Sequence, residues 1–209
     1  VFKDLYADVI TIGNMPDGIN INDDCGSTHT ENLKRAVIEN HADLGLAFDG
    51  DADRLIVIDE NGAEVSADVI LGVAALSLKR QGKLAMDRLT VSVMSNLGLL
   101  KFAEENGIEI DDTHVVDRYV IESMRKTGSV LGGESSGHMI FAEHSTTGDG
   151  ILSGLQVVKL LGESEMSMSE RVKTVKLYPQ VLANARVKNE NKSIYLNDEE
   201  VKTKLSEIE

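Results

Sequence analysis

Apolar positions recur along this chain with two periods, and the switches between them mark its elements. Residues Tyr6–Gly13, rich in β-branched side chains, predict a strand, followed by a polar loop from Asn14 to Gly26. Leu33, Ala36 and Val37 at helical spacing predict a helix to about Asn40, opened by a capping box of Thr28 and Glu31. Leu44–Phe48 and Leu55–Ile58 read as strands, and Asn61-Gly62 is the signature of a hairpin turn. Ser66 caps a helix to about Arg80, closed by Gly82. Its apolar residues, Val69, Ile70, Val73, Ala74 and Leu76, run nearly all round it, which predicts burial.

The second half alternates in the same way. Leu89–Met94 predicts a strand, Asn96 to Asn106-Gly107 a helix, and Ile108–Ile110 another strand. A loop over Thr113–Arg118 leads to a helix carrying Tyr119, Val120 and Met124 and ending at Gly128. Val130–Phe141 reads as strand, glycine-rich turn and strand, and Ser145–Gly150 leads into a helix over about Ile151–Leu161. A second capping box, Ser167 with Glu170, starts a short helix before Tyr178-Pro179 breaks the pattern. Val181–Val187 predicts a strand, and Asn197 with Glu200 caps a final helix. Strands alternating with helices make this an α/β chain, with changes of domain near Gly62 and Lys173.

Composition narrows the function more than the fold. With 42% hydrophobic and 27% charged residues the chain has the balance of a globular protein. No apolar run approaches the roughly 18 to 20 residues of a membrane span, and no secretory signal opens the chain. A formal net charge of −14 disfavours nucleic acid or an anionic membrane surface as the main partner. The lone cysteine, Cys25, rules out an internal disulfide framework and fits a reducing, cytoplasmic setting. The start at Val1, without an initiator methionine, gives the expectation of a piece of a longer protein.

The chemistry concentrates in Asp49-Gly50-Asp51-Ala52-Asp53-Arg54. Alternate residues of an extended or looped backbone point the same way, so these three carboxylates can converge on one hard cation. Without compensation they would repel each other by several kcal/mol. Three other readings compete. An EF-hand loop would place the aspartates at its first, third and fifth positions and Glu60 at its twelfth, but Arg54 stands where glycine is required. An aspartyl-phosphatase nucleophile explains the strand end but not the third aspartate or Arg54. A solvated acidic turn needs no ligand at all. His29, His41, His114 and His144 show no zinc-ligand spacing with a cysteine.

The acidic loop resembles the metal-binding loop of the α-D-phosphohexomutases, and Gly133-Glu134-Ser135-Ser136-Gly137-His138 resembles their sugar-binding loop. Within that superfamily, Pro16–Asn22 with Cys25-Gly26-Ser27-Thr28-His29, Asp117-Arg118-Tyr119-Val120, Thr146-Thr147-Gly148-Asp149-Gly150 and Tyr178-Pro179-Gln180 are similar to the phosphoglucosamine mutase branch. The resemblance implies mixed-sheet α/β phosphohexomutase-type domains: the end of a second domain over 1–62, a complete third domain over 63–172 and the start of a fourth over 173–209. It implies a parent enzyme that interconverts glucosamine 6-phosphate and glucosamine 1-phosphate through a phosphoserine and a 1,6-bisphosphate. Asp49, Asp51 and Asp53 would ligate Mg²⁺, and Arg54 would help hold the phosphoserine. Glu134, Ser136, Gly137 and Arg118 would bind the phosphorylated amino sugar. His138 would contact the substrate or transfer a proton, its ordinary pKa lying near neutrality, or else close the loop structurally. A homodimer is one assembly open to such a full-length protein.

Departures and absences qualify the resemblance. Ala52 and Val116 stand where the family often has glycine, which puts the local backbone in question. Neither a Thr-x-Ser-His-Asn-Pro loop nor an Arg-x-Ser-Gly-Thr loop occurs in the chain, so it is not expected to turn over alone. Phosphomannomutase or phosphoglucomutase specificity, and a non-catalytic module binding metal or sugar phosphate, stand as alternatives.

Overall fold

A computed structural model describes the chain except for residues 164, 183–185, 187, 192–196, 208 and 209; residues 191 and 205 are described by backbone alone. After a short 3₁₀ turn at Lys3–Leu5 the first regular element is helix α1 (Glu31–Asn40). Strands β1 (Leu44–Phe48), β2 (Leu55–Asp59) and β3 (Glu64–Val65) follow and form an antiparallel sheet in the order β1-β2-β3. Phe48 pairs with Leu55, so the six residues between β1 and β2 are a hairpin loop, and these are Asp49 to Arg54. Helix α2 (Ala67–Arg80), strand β4 (Arg88–Ser92), helix α3 (Leu97–Glu105), strand β5 (Glu109–Thr113), helix α4 (Asp117–Thr127), strands β6 (Leu131–Gly133) and β7 (Met139–Phe141) and helices α5 (Gly150–Gly162) and α6 (Met168–Val172) complete the first compact unit, Val1–Tyr178. Its second sheet has the order β5-β4-β6-β7, parallel except for the β6–β7 pair, and is therefore mixed. The second unit, Pro179–Glu209, contains helix α7 (Glu199–Ser206).

Burial follows the strand period. Met139 and Phe141 belong to the main core, while Ile140 between them faces Val120 and Met124 of α4 on the other side of the sheet. The main core is continuous from Leu55 and Val57 on β2, through Val69, Leu71 and Ala75 on α2, to Leu89 and Val91 on β4. Both sheets of the first unit thus share one hydrophobic interior, and α2 is buried along most of its length, as its all-round apolar pattern requires. Polar groups pin this interior at its ends. The buried Asp68 carboxylate accepts a hydrogen bond from the Asn96 backbone N–H at 2.8 Å. The Asn96 side chain accepts from the N–H of Tyr178 at 2.9 Å and donates to its carbonyl at 2.8 Å. Burial pushes the Asp68 carboxyl above its ordinary pKa.

Capping is where the structure corrects the sequence reading. Ser66, Asn96 and the Ser167–Glu170 box cap α2, α3 and α6. The Thr28–Glu31 box does not form: the N-cap of α1 is Thr30, and the Thr28 hydroxyl lies 3.1 Å from its neighbour His29 instead. At α7 the carboxylate of Asp198, one residue beyond Asn197, accepts from the N–H groups of Glu200 and Val201. Tyr6–Gly13 is not a strand: it pairs with no neighbouring strand among the described residues, Tyr6 and Gly13 at its ends carry positive φ, and Tyr6, Ile10 and Ile12 are exposed. The strand expected over Val181–Val187 falls largely outside the described residues.

Two non-glycine positions carry positive φ where the sequence departs from glycine. Ala52 lies at φ 58° in the acidic loop, and Val116 at φ 114°, ψ 128° immediately before α4. A β-branched residue at that φ is strained, and the strain is held by a hydrogen bond from the Val116 N–H to Glu134 Oε1 at 3.1 Å. Val116→Gly should raise stability by about 1 kcal/mol, the relief of strain being offset in part by the freer unfolded chain; Ala52→Gly should raise it less. Urea unfolding of the two variants against the parent measures both.

A second long-range clasp makes the stability of the fold depend on pH. Glu60, in the β2–β3 turn, accepts from Ser169 Oγ at 2.6 Å and from the Ser169 N–H at 3.2 Å, tying the hairpin to the start of α6. Burial acts to raise its pKa, but hydrogen bonds from Ser169 and Ser167 outweigh it and hold the carboxyl down at about 2. A depressed carboxyl stabilises the fold above its unfolded pKa and loses that contribution as pH falls towards the folded value. Glu60→Gln should therefore cost roughly 1 to 2 kcal/mol at neutral pH, allowing for partial exposure, and the difference from the parent should shrink steadily between about pH 4.5 and 2. Urea midpoints measured across that range test it.

Candidate metal and substrate site

The acidic hairpin loop meets the second sheet at one edge. The Leu55 N–H donates to the Gly137 carbonyl at 3.1 Å, and Arg54 forms an isolated antiparallel bridge with His138. Glu134 follows β6 and Asp117 opens α4 just after β5, so both stand beyond the carboxyl ends of parallel strands, where loops of open α/β sheets collect ligands. The turn between β6 and β7 is fixed by its own backbone: the Glu134 N–H donates to the His138 carbonyl at 2.9 Å and the Gly137 N–H to the Glu134 carbonyl at 3.1 Å.

Within the loop, oxygen atoms of Asp49, Asp51 and Asp53 lie within 4.8 Å of one another. Arg54 compensates part of their charge. Its Nε donates to Asp49 Oδ2 at 2.6 Å and lies 3.6 Å from Asp53 Oδ1, and its backbone N–H donates to Asp49 Oδ1 at 3.2 Å. Burial acts to raise the Asp49 carboxyl, but the hydrogen bonds and charge of Arg54 together hold it below the usual carboxylate range. Asp53 moves the other way: burial, then the negative charge of Asp49, pushes its carboxyl up despite the neighbouring His138. Two carboxylates four residues apart thus have opposite tendencies, the result expected when one cation must serve several anions. An all-oxygen donor set of this kind fits a hard divalent cation such as Mg²⁺.

A second group shares Asp53. His138 is 2% exposed, with Nδ1 3.2 Å from Asp53 Oδ2 and 3.5 Å from Asp117 Oδ2. Glu134 is buried beside Asp117; burial, followed by that neighbouring carboxyl, pushes Glu134 above its ordinary pKa, against the hydrogen bond from the Val116 N–H. Asp53, His138, Asp117 and Glu134 therefore form a continuous chain of polar groups from the acidic loop to the β6–β7 turn.

Of the residues selected from sequence, Asp49, Asp51, Asp53, Arg54, Glu134, Gly137 and His138 come together here, and Ser136 is exposed on the same turn. Arg118 is not drawn in: its side chain is 78% exposed and pairs with Glu122 one turn along α4, at 2.7 Å. Asp117 was missed as a site residue. Its signal was positional, a carboxylate opening the helix that follows a parallel strand, next to the arginine that drew attention instead.

Comparison with known proteins relates two consecutive stretches of the chain to one family. The family model for phosphoglucomutase/phosphomannomutase alpha/beta/alpha domain II matches residues 7–62, and that for alpha/beta/alpha domain III matches residues 66–178. Phosphoglucosamine mutases of Acetivibrio thermocellus and Clostridioides difficile are each 54% identical to the chain over its whole length, which spans 46% and 47% of theirs. The chain thus spans about half the length of the curated relatives it matches. Among solved structures, a putative phosphomannomutase from Thermus thermophilus is similar at 25% identity with a TM-score of 0.65, covering 71% of this chain and 34% of that one. An N-acetylphosphoglucosamine mutase from Aspergillus fumigatus shares the fold at 19% identity and TM-score 0.59, covering 76% and 38%. With two consecutive domain models matched, one of them over more than half of its residues, the chain belongs to the phosphoglucomutase/phosphomannomutase family.

Proposed function

We propose that this chain is the central part of a phosphoglucosamine mutase, comprising the end of its second domain (1–62), its third domain (63–172) and the start of its fourth (173–209). The observation that carries the reading is the junction of the acidic loop with the Glu134–His138 turn, which brings a hard-cation donor set and sugar-binding groups to one edge of one core. The 54% identity to two phosphoglucosamine mutases over the whole chain supports the amino-sugar assignment. The Aspergillus neighbour, crystallised with GlcNAc-6P and magnesium, supports the ligand class.

In this reading Asp49, Asp51 and Asp53 hold Mg²⁺, which when bound supplies neutralising positive charge to a phosphoryl group in transfer. Arg54 adds a second positive charge beside the same loop and favours the charged form of Asp49. Glu134 and Ser136 take sugar hydroxyls, the carboxylate as acceptor and the hydroxyl as acceptor or donor. Arg118 reaches substrate only by leaving Glu122. The phosphoserine and the phosphate-binding loop of the reaction belong to other parts of the full-length protein, and a cytoplasmic location goes with a sugar-phosphate substrate.

Assay of the full-length parent on glucosamine, mannose and glucose phosphates tests the assignment. Glucosamine phosphate should be the preferred substrate, and Asp51→Asn should lower kcat/KM by about 10²-fold or more through loss of charge stabilisation. A preference for mannose or glucose phosphate would overturn the specificity, and turnover by the 209-residue chain alone would overturn its assignment as a part.

A further inference from the structure

A cavity of about 310 Å³ opens at the end of the second sheet opposite the metal and substrate site. Val130, just before β6, and Phe141, the last residue of β7, line it, whereas Glu134 and His138 stand at the other ends of these two strands. Lys159, also in its wall, stands about 14 Å along α5 from Gly150, whose N–H donates to the Ala52 carbonyl of the acidic loop. The walls are set by backbone. The Ala142 N–H donates to the Val130 carbonyl at 2.9 Å, and the N–H groups of His144 and Ser145 both donate to the Phe141 carbonyl, at 2.9 and 3.0 Å, in a turn that places His144 on the rim. Across the opening, Gly82 at φ 67° turns the chain back over the end of α2, where the Lys83 N–H donates to the Leu78 carbonyl at 2.8 Å.

The floor of this cavity is apolar, made by Leu78, Val130, Phe141 and Ala142, while Lys83, His144, Gln156 and Lys159 stand round it with Glu143. The side chains of Lys83, His144, Gln156 and Lys159 have no hydrogen-bond or ion-pair partner among the described residues. Glu163, farther along the same crevice, is already engaged: it accepts from Ser77 Oγ and, at 3.0 Å, from Gln81 Nε2. In a chain of net charge −14 the two lysines therefore outweigh Glu143 and make a local positive balance, which selects an anion. The apolar floor selects one with an apolar body, and the volume, at the lower end of the roughly 300 to 1,000 Å³ usual for ligand pockets, limits its size. We propose that this cavity binds a small organic anion, a compact apolar ring or chain carrying one carboxylate or phosphate group. Lys83 and Lys159 meet the anionic group, Val130 and Phe141 pack against the body, and Gln156 and His144 supply further hydrogen bonds.

The test is titration of the full-length parent, in Mg²⁺, with phenyl phosphate and with benzoate, followed by ligand-observed NMR. At least one of the two should bind with sub-millimolar affinity, the tighter of them identifying the anionic group as phosphate or carboxylate. Inorganic phosphate, acetate and benzyl alcohol, which keep only the charge or only the ring, should bind at least about 10-fold more weakly. Lys83→Glu and Lys159→Glu should each weaken binding by about 10-fold or more, the loss expected for a charge-assisted hydrogen bond, and the milder Lys159→Gln should act in the same direction. All three variants should keep the parental kcat and KM on glucosamine phosphate, which shows that they fold, and excess glucosamine 6-phosphate should leave binding of the aromatic anions unchanged. The proposal is overturned if neither aromatic anion binds the full-length protein, if the lysine variants bind as the parent does, or if glucosamine 6-phosphate displaces the anions and so places them in the sugar site.

Discussion

Three carboxylates confined to a six-residue hairpin loop are the constraint around which this molecule is arranged. The β1–β2 ladder forces Asp49 and Arg54 to stand at the two ends of the loop, so the arginine that closes it reaches back to the first aspartate. One guanidinium cannot satisfy three anions. Asp49 is held low and Asp53 is pushed up, and the residual charge is what a divalent cation would remove.

The rest of the unit serves to bring a second loop to this charge. The core shared by both sheets fixes the β6–β7 turn against the acidic hairpin, and the Leu55–Gly137 hydrogen bond and the Arg54–His138 bridge join them directly. Because the contact is made by backbone, it is indifferent to most side-chain changes at the surface. It is sensitive where a Cβ has no room, at Gly150 against the Ala52 and Arg54 carbonyls and at Gly148 against the His138 ring.

Local patterns in the sequence were sufficient for elements whose partners lie close in the chain. The Leu44–Phe48 strand, the Asn61-Gly62 turn and the Ser167–Glu170 box depend on neighbouring residues, and all form as read. Tyr6–Gly13 has strand composition but no ladder to join among the described residues, a matter of its surroundings that its own residues cannot carry. Helix α1 starts after Thr30 rather than Thr28 and has no side-chain cap, the Thr28 hydroxyl lying against His29 and that of Thr30 against Glu64. The site was legible where chemistry is written in side chains, as in the three aspartates and Glu134. It was not legible where contacts are made across the fold: Asp117 lies 3.5 Å from His138, Gly148 leaves no room for a Cβ beside that ring, and Arg118 pairs with Glu122.

Anomalous diffraction from crystals of this chain soaked in Mn²⁺ is the most direct measurement of the central claim. The account predicts a single ion held by oxygens of Asp49, Asp51 and Asp53, with Arg54 drawn away from Asp49 and His138 still facing Asp53. An ion bound instead by Asp53, Asp117 and the His138 ring, or density at neither cluster under saturating metal, would contradict it.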